Sequence, residues 1–242
     1  MANRGETKSQ KSISAPSVRY FKRKANVFTA QSRPGPHSKE TSVPLSFALI
    51  NLLELAANLK EAKRILNQGK IKVNGKIRKT PRFPVGILDI IGIEGIKKKY
   101  RALLDKKGRL VMKEADAKTK EFKISKVVAK RKVKGGKTWI TTNDGLTIGI
   151  GKEKVSVDDS VKITLPEGKI EEVLSLEKGN TVFIIGGTHV GEITRIEDIT
   201  PGTLQRKKLI SLIQGENKFQ TVARNVIVIG KAKPEIEVLE AE

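Results

Sequence analysis

The sequence predicts an α+β protein of several small domains, and three observations predict it. Apolar residues at helical spacing are confined to residues 44–69. Short strand-like runs punctuated by Gly, Pro, Asn and Asp follow to the end, and the first 41 residues have no periodic apolar pattern. The expected layout is a disordered basic tail over 1–41 and a small α+β domain over 42–94, then a central β-rich domain over 95–173. A small β-barrel with an acidic end completes it over 174–242. A chain of 242 residues with 38% hydrophobic, 31% charged and only 4% aromatic residues suits several thin domains better than one large core.

Charge narrows the partners. Lys and Arg number 48 against 26 Asp and Glu, a net +22, and such an excess calls for a polyanion. It is also uneven. Residues 1–41 hold nine basic and two acidic side chains, residues 59–82 nine and one, and residues 97–137 seventeen and four, whereas residues 138–242 hold thirteen and sixteen. The electrostatic footprint is therefore expected in the first 137 residues. No window approaches the ~18 consecutive apolar residues of a membrane span, and no basic amphipathic helix stands alone, so no membrane partner is expected. The basic start lacks the apolar run of a secretory signal and the chain has no cysteine, which together predict a cytoplasmic protein.

Each element has its own justification. Ser, Lys, Gln, Pro and Gly in residues 1–41 bury too little to offset the entropy of ordering. Within them Arg19, Tyr20, Phe21, Lys22, Arg23 and Lys24 set two rings among four cations, a combination that can pair phosphates and stack on unpaired bases. The plainer alternative is a solvated basic linker. From Pro44, residues Leu45, Ala48, Leu49, Leu52, Leu53 and Ala56 fall at helical spacing, with proline tolerated in the first turn. A second helix starts at Asn58, whose side chain can cap it while Glu61 completes a capping-box-like pair, and Gly69 ends it. Leu59, Ala62, Ile65 and Leu66 share one face, which leaves Lys60, Lys63, Arg64 and Asn67 on the other. Then IKVNGKIRK predicts a hairpin, because Asn74-Gly75 supplies the two positive-φ residues of a type I′ turn. Alternation puts Ile71, Val73 and Ile77 inward and Lys70, Lys72, Lys76 and Arg78 outward, beside Lys79.

After Pro81 and Pro84, residues 85–91 predict one short apolar strand, and the lysine-rich run 97–101 marks a new unit beginning near 95. Strands follow in FKISKVVAKRKV, KTWITT, LTIGI and VKITL, separated by Gly135-Gly136, Asn143-Asp144-Gly145 and Pro166. A third unit holds TVFII, Gly186-Gly187, GEITRIEDI, KLISLI and NVIVIG, then the acidic PEIEVLEAE. Short strands with paired glycines suggest a small barrel.

Two helices and a basic hairpin with an Asn-Gly turn over 44–92 resemble the S-four RNA-binding domain; an ordinary helix-hairpin module with a soluble basic face is the plainer alternative. Residues 177–196, EKGNTVFIIGGTHVGEITRI, resemble a KOW motif, with Gly191 where a side chain would obstruct a tight backbone crossing. Any β-hairpin with a glycine turn is the alternative there. The order of basic tail, PGPH (34–37), S-four-like domain, central β domain, KOW segment and NVIVIGKAKP is similar over nearly the whole chain to the archaeal and eukaryotic small-subunit ribosomal protein S-four-e family. EAKRILNQGKIKVNGKIR, FPVGILDII, LLDKKGRLV, VKGGKTWITTNDG and GGTHVGEI carry that resemblance most closely. The polar opening Ala2–Ser14 and Thr188 depart from it.

The resemblance implies a structural protein of the small ribosomal subunit. Its partners would be ribosomal RNA, bound by shape and phosphate contacts, and neighbouring ribosomal proteins, with no cofactor, metal or small-molecule substrate. The residues it points to, together with the basic surface, are Lys60, Lys63, Arg64, Lys70, Lys72, Asn74, Gly75, Lys76, Arg78 and Lys79, the tail residues Arg19, Tyr20, Lys22, Arg23 and Lys24, and His189 and Gly191 of the KOW loop.

Catalysis finds little support. The chain offers no Cys and two lone histidines, His37 and His189. Gly135-Gly136-Lys137-Thr138 fails as a phosphate loop, because Arg131 stands where glycine is needed and a strand follows. Pseudouridine synthases also carry an S-four domain, with an aspartate in a G-R-L-D motif; here Gly108-Arg109-Leu110 is followed by Val111, which has no carboxylate. A KOW-bearing transcription elongation factor leaves the S-four-like segment unexplained.

Overall fold

The computed structural model describes residues 8–95, 98–115, 122–133, 136–151, 154–203, 205–215 and 217–236. The chain divides into two compact units, residues 1–102 with 109–114, and residues 103–108 with 115–242. It is mostly sheet with few helices.

In the first unit β1 (Ser9–Lys11) and β2 (Phe28–Ala30) pair antiparallel. β3 (Val43–Pro44) leads into α1 (Leu45–Phe47), which widens into a π-helical turn over Ala48–Leu52. The predicted first helix is thus shorter than its apolar spacing. Glu54 takes φ 52°, and the Leu55 N–H turns back to the Leu49 carbonyl, so Leu53 and Ala56 pack from a turn. α2 (Leu59–Asn67) begins as its sequence predicts: the Asn58 side chain accepts the Glu61 N–H at 2.9 Å, and the Glu61 carboxylate accepts the Ala57 N–H at 2.9 Å. β4 (Ile71–Val73) and β5 (Lys76–Ile77) form the hairpin, with Asn74 at φ 51° and Gly75 at φ 76° as a type I′ turn requires. β6 (Pro84–Val85), β7 (Ile90–Ile93), β8 (Lys99–Leu104) and β9 (Leu110–Glu114) follow. The sheet order is β5-β4-β7-β8-β9, with β3 and β6 paired separately. Leu45, Leu49, Ala62, Leu66, Ile71, Val73, Val85 and Ile91 form the core between the helices and this sheet.

Four expectations are corrected in this unit. Residues 8–41 are packed rather than disordered: Val18 and Phe21 join the core, and Phe21 meets Phe47 edge to face at 5.5 Å. Residues 1–7 of that segment lie outside the described residues. Composition hid this ordering because a single buried arginine, not an apolar stripe, organises it. Arg19 is 1% exposed, and its guanidinium donates to the Ala30 carbonyl (2.9 Å), Ser32 Oγ (2.8 Å) and the Ser42 carbonyl (3.4 Å). Burial lowers its pKa to about 10. Second, residues 85–91 are not one strand, since a turn with Leu88 at φ 64° separates β6 from β7. Third, the domain break expected near 95 falls inside the five-stranded sheet, whose β8 and β9 come after it. Fourth, Ile77 pairs with Lys72 and shares its face, so it points outward and is 53% exposed. A two-residue turn sets Val73 opposite Lys76, which reverses the alternation expected for β5, so Lys76, although exposed, stands on the Val73 side of the hairpin and not beside Lys72.

Arg19→Ala is expected to lower stability by about 2–4 kcal/mol, because it leaves two buried acceptors and one part-buried one without their donor. Amide exchange over residues 9–30 reports it: slow in the parent chain, fast in the variant.

The second unit holds two antiparallel sheets. β10 (Phe122–Lys132), β11 (Thr138–Thr142), β12 (Thr147–Ile150), β13 (Ser160–Thr164) and β14 (Ile170–Leu174) take the order β12-β11-β10-β13-β14. β15 (Thr181–Ile184), β16 (Ile193–Thr200), β17 (Leu209–Gln214), β18 (Asn217–Val222) and β19 (Val226–Gly230) take the order β18-β17-β16-β15-β19. The break expected at 174 separates these sheets, but they belong to one unit. Buried Lys126 donates to the Ala223 and Val226 carbonyls and sits 3.2 Å from Asp158, while the Val228 N–H donates to Ser160 Oγ at 3.0 Å. Desolvation pushes the Lys126 pKa down. The Asn143-Asp144-Gly145 turn is held by buried Asp144, which accepts from Lys123 (2.7 Å), Ser125 Oγ (3.1 Å) and Thr142 Oγ1.

Candidate nucleic-acid interface

The surface built from α2 and the β4–β5 hairpin is cationic because the sequence leaves it nothing else to present. Ala62 and Leu66 are fully buried, so helical periodicity turns Lys60, Lys63 and Arg64 outward, and all three are exposed. With Asn58, Glu61, Asn67 and Gln68 they line a shallow, open depression. Lys70, Lys76 and Lys79 are exposed on the adjoining hairpin, and Lys72 and Arg78 are half-buried. Among the described residues, Lys60, Lys63, Arg64, Lys70, Lys76 and Lys79 have no carboxylate partner. The nearest anion to Lys72 is Glu94 at 3.9 Å, and the Arg78 guanidinium lies over the Phe83 ring at 4.5 Å. The only acid in the depression, Glu61, is turned to the helix start.

The hairpin is fixed from behind. Asn74 does not reach outward: its Nδ2 donates to Asp89 Oδ1 at 2.7 Å and its Oδ1 accepts the Ile90 N–H at 2.9 Å. Asp89, fully buried, also accepts the Gly86 N–H and the His37 Nε2–H, each at 2.9 Å. The imidazole rests on Gly86 so closely that a Cβ there would stand 2.3 Å from His37 Cγ. His37 therefore ties the Pro-Gly loop to the turn, and Asn74 is a geometric residue rather than an exposed contact. Sequence reasoning missed Asp89, whose only signal is an acid inside an otherwise apolar run.

The tail residues separate into two groups. Lys22 and Lys24 are exposed, and Tyr20 is 62% exposed with the Arg109 guanidinium 4.2 Å from its ring centre. Arg19 and Arg23 are turned inward: Arg19 as described, and Arg23 onto the carbonyls of Ile13 (3.0 Å), Ala15 (2.8 Å) and Pro16 (3.3 Å). Arg19 is therefore withdrawn as an RNA contact, its donors being committed inside the fold.

In the second unit His189 stacks on Phe219 at 3.9 Å between ring centres and meets Glu192 at 3.2 Å. Gly191 is corrected too. It is buried at φ 84°, and a Cβ there would lie 2.7 Å from the Asp105 carbonyl group. Its close approach is to the chain's own backbone, so it is not an open surface for RNA. Gly191→Ala is expected to destabilise the unit by about 2–4 kcal/mol through that clash and the positive φ, read as a lower urea midpoint.

The lysines of this unit's later strands are also differently placed. Lys162 pairs with Glu235 (3.1 Å), Lys178 with Asp198 (2.6 Å), Lys231 with Glu172 (2.8 Å), Lys169 with Glu167 (2.7 Å) and Lys218 with Glu197. The expected acidic end begins with that Glu235 pair and with buried Ile236; its last six residues lie outside the described ones.

Two short helices and a type I′ hairpin presenting unpaired cations define an S4-domain protein, of the RNA-binding class. Residues 48–91 match the S4 domain, residues 4–40 the RS4NT domain, and residues 96–170 the model for "Ribosomal family S4e". The chain is 38% identical over 239 residues to the small ribosomal subunit protein eS4 of Methanosphaera stadtmanae, covering 99% of both, and 36% identical over 231 residues to that of Caenorhabditis elegans, covering 94% of this chain and 88% of the other. A crystal structure of the 30S ribosomal protein S4e from Thermoplasma acidophilum superimposes with a TM-score of 0.70 at 29% identity, covering 80% of this chain and 97% of that one. The chain belongs to the ribosomal S4e family.

Proposed function

We propose that this protein is a structural constituent of the small ribosomal subunit in the cytoplasm, where it binds ribosomal RNA and catalyses nothing. The observation that carries this reading is the contrast in how lysines are placed. On α2 and the hairpin Lys60, Lys63, Lys70, Lys76 and Lys79 stand exposed without carboxylate partners among the described residues, whereas Lys162, Lys169, Lys178, Lys218 and Lys231 of the second unit are each paired with an acid. An unpaired cationic face lowers its self-repulsion by meeting phosphates and releasing their counterions. Lys60, Lys63, Arg64, Lys70, Lys76 and Lys79 carry most of the binding, with Lys72 and Arg78 at the margin. Lys22, Lys24 and Tyr20 extend the contact along residues 8–41. Asn74 and Gly75 hold the hairpin to shape.

The KOW segment, part of a small barrel, supplies few phosphate contacts and meets neighbouring ribosomal proteins; His189, with 41% of its side chain exposed, is the residue there most open to RNA. The test is sedimentation of the endogenous protein through a high-salt gradient. Migration with the small subunit is expected, and release into the soluble fraction would instead indicate a loosely associated RNA factor.

A further inference from the structure

The second unit carries one aromatic residue in an unexpected place. Trp139 lies mid-strand on β11, where its neighbours Ile140 and Thr142 are buried. Strand alternation therefore puts Trp139 on the opposite, outer face. Its register partners there are Arg131 on β10 and Gly149 on β12. The indole lies beside Gly149, 3.9 Å from where a Cβ would stand, and 39% of the residue stays exposed. The remaining outer-face neighbours are small: Ala129 opposite Thr141, and Thr141 opposite Thr147. Apart from Arg131, these outer-face neighbours leave the ring uncrowded.

The charge around it has one sign. Residues 130–137, KRKVKGGK, hold five basic side chains and no acid. Arg131 stands directly across from the indole, and Lys137, two residues before it, shares its face. Arg131, Lys132 and Lys137 are exposed and have no carboxylate partner among the described residues. An apolar protein partner would have to desolvate these cations without pairing them, whereas an unpaired nucleobase offers a π-face to the indole and phosphates to the flanking charges.

We propose that Trp139, flanked by Arg131 and Lys137, is a stacking platform for an unpaired nucleobase of ribosomal RNA. This gives the second unit an RNA contact of its own, apart from the phosphate face of α2 and the hairpin. The inference rests on the reading of the chain as an RNA-binding ribosomal protein.

Trp139 is the chain's only tryptophan, so the intact protein reports on the site directly. Full-length protein is titrated with a small-subunit ribosomal RNA transcript, following tryptophan emission and, separately, gel mobility. Quenching that saturates together with binding is expected, and a fully paired RNA duplex should bind without quenching it. Trp139→Ala should weaken transcript binding by roughly fivefold or more, and Trp139→Phe should retain most of it. A Lys60→Ala, Lys63→Ala, Arg64→Ala triple variant should bind more weakly yet quench fully at saturation. Mobility-shift binding with unchanged emission overturns the stacking platform alone. A blue shift without quenching, seen only when small-subunit proteins are added, also overturns it in favour of a protein contact. Absence of any binding to the transcript overturns the RNA-binding reading as well.

Discussion

Replacing Lys60, Lys63, Arg64, Lys70 and Lys76 together by alanine is expected to flatten the salt dependence of RNA binding steeply. If each makes one phosphate contact with duplex-like RNA, ~5 contacts give a slope of log affinity on log salt of roughly −4.5. Between about 50 and 200 mM salt, that slope lowers affinity by roughly 500-fold. The five-site variant should begin weaker and lose about 4.5 from its slope, keeping only the salt dependence of the cations it retains, and each single variant should flatten the slope by about 0.9. The fold should tolerate these changes, since all five side chains are exposed and lack carboxylate partners among the described residues. Stability should therefore stay within about 0.5 kcal/mol of the parent for each. Equal slopes for parent and variant, measured by filter binding, would place the electrostatic contact elsewhere on the chain.

That face was legible in the sequence because period and charge coincide. Ala62 and Leu66 fix which way α2 turns, the capping pair of Asn58 and Glu61 fixes where it starts, and Asn74-Gly75 fixes the turn. Most strands of the second unit were legible for a similar reason, as β-branched runs between turn residues. What escaped was polar. Arg19 and Arg23 look like solvent-facing cations in a run of six basic and aromatic residues, yet each closes a set of backbone carbonyls, and only tertiary contact decides that. Ile77 escaped because the alternation rule carries across a strand but resets at a two-residue turn, where register decides the face. The role of Gly191 was half legible. Its need to be glycine could be inferred, but the backbone it approaches, Asp105, lies 86 positions away in the chain and carries no mark of the meeting.

The loss expected from Asp89→Ala is larger than for any surface change. Asp89 is fully buried, and the donors it accepts at 2.7–2.9 Å include Asn74 Nδ2, the Gly86 N–H and His37 Nε2–H. Alanine strands these donors in a buried site, and removing one partner of such a buried polar cluster costs about 3–5 kcal/mol, a large share of the ~5–15 kcal/mol that holds a typical domain folded. Asparagine should lie between, since one oxygen still accepts while the new amide faces a donor whichever way it turns. The loss should not be confined to stability. Asn74 holds its positive φ in the turn that fixes the register of the hairpin carrying Lys72 and Lys76, and without Asp89 its side chain is tied only to the Ile90 N–H. RNA affinity should therefore fall although no cation is removed, whereas the salt slope, which counts phosphates, should fall less than in the five-site variant. Urea unfolding and salt-dependent binding, measured together on Asp89→Ala, Asp89→Asn and His37→Phe, separate these effects. If Asp89→Asn matches the parent in both, the carboxylate is not the clamp, and the Asn74 contact with the Ile90 N–H alone holds the hairpin.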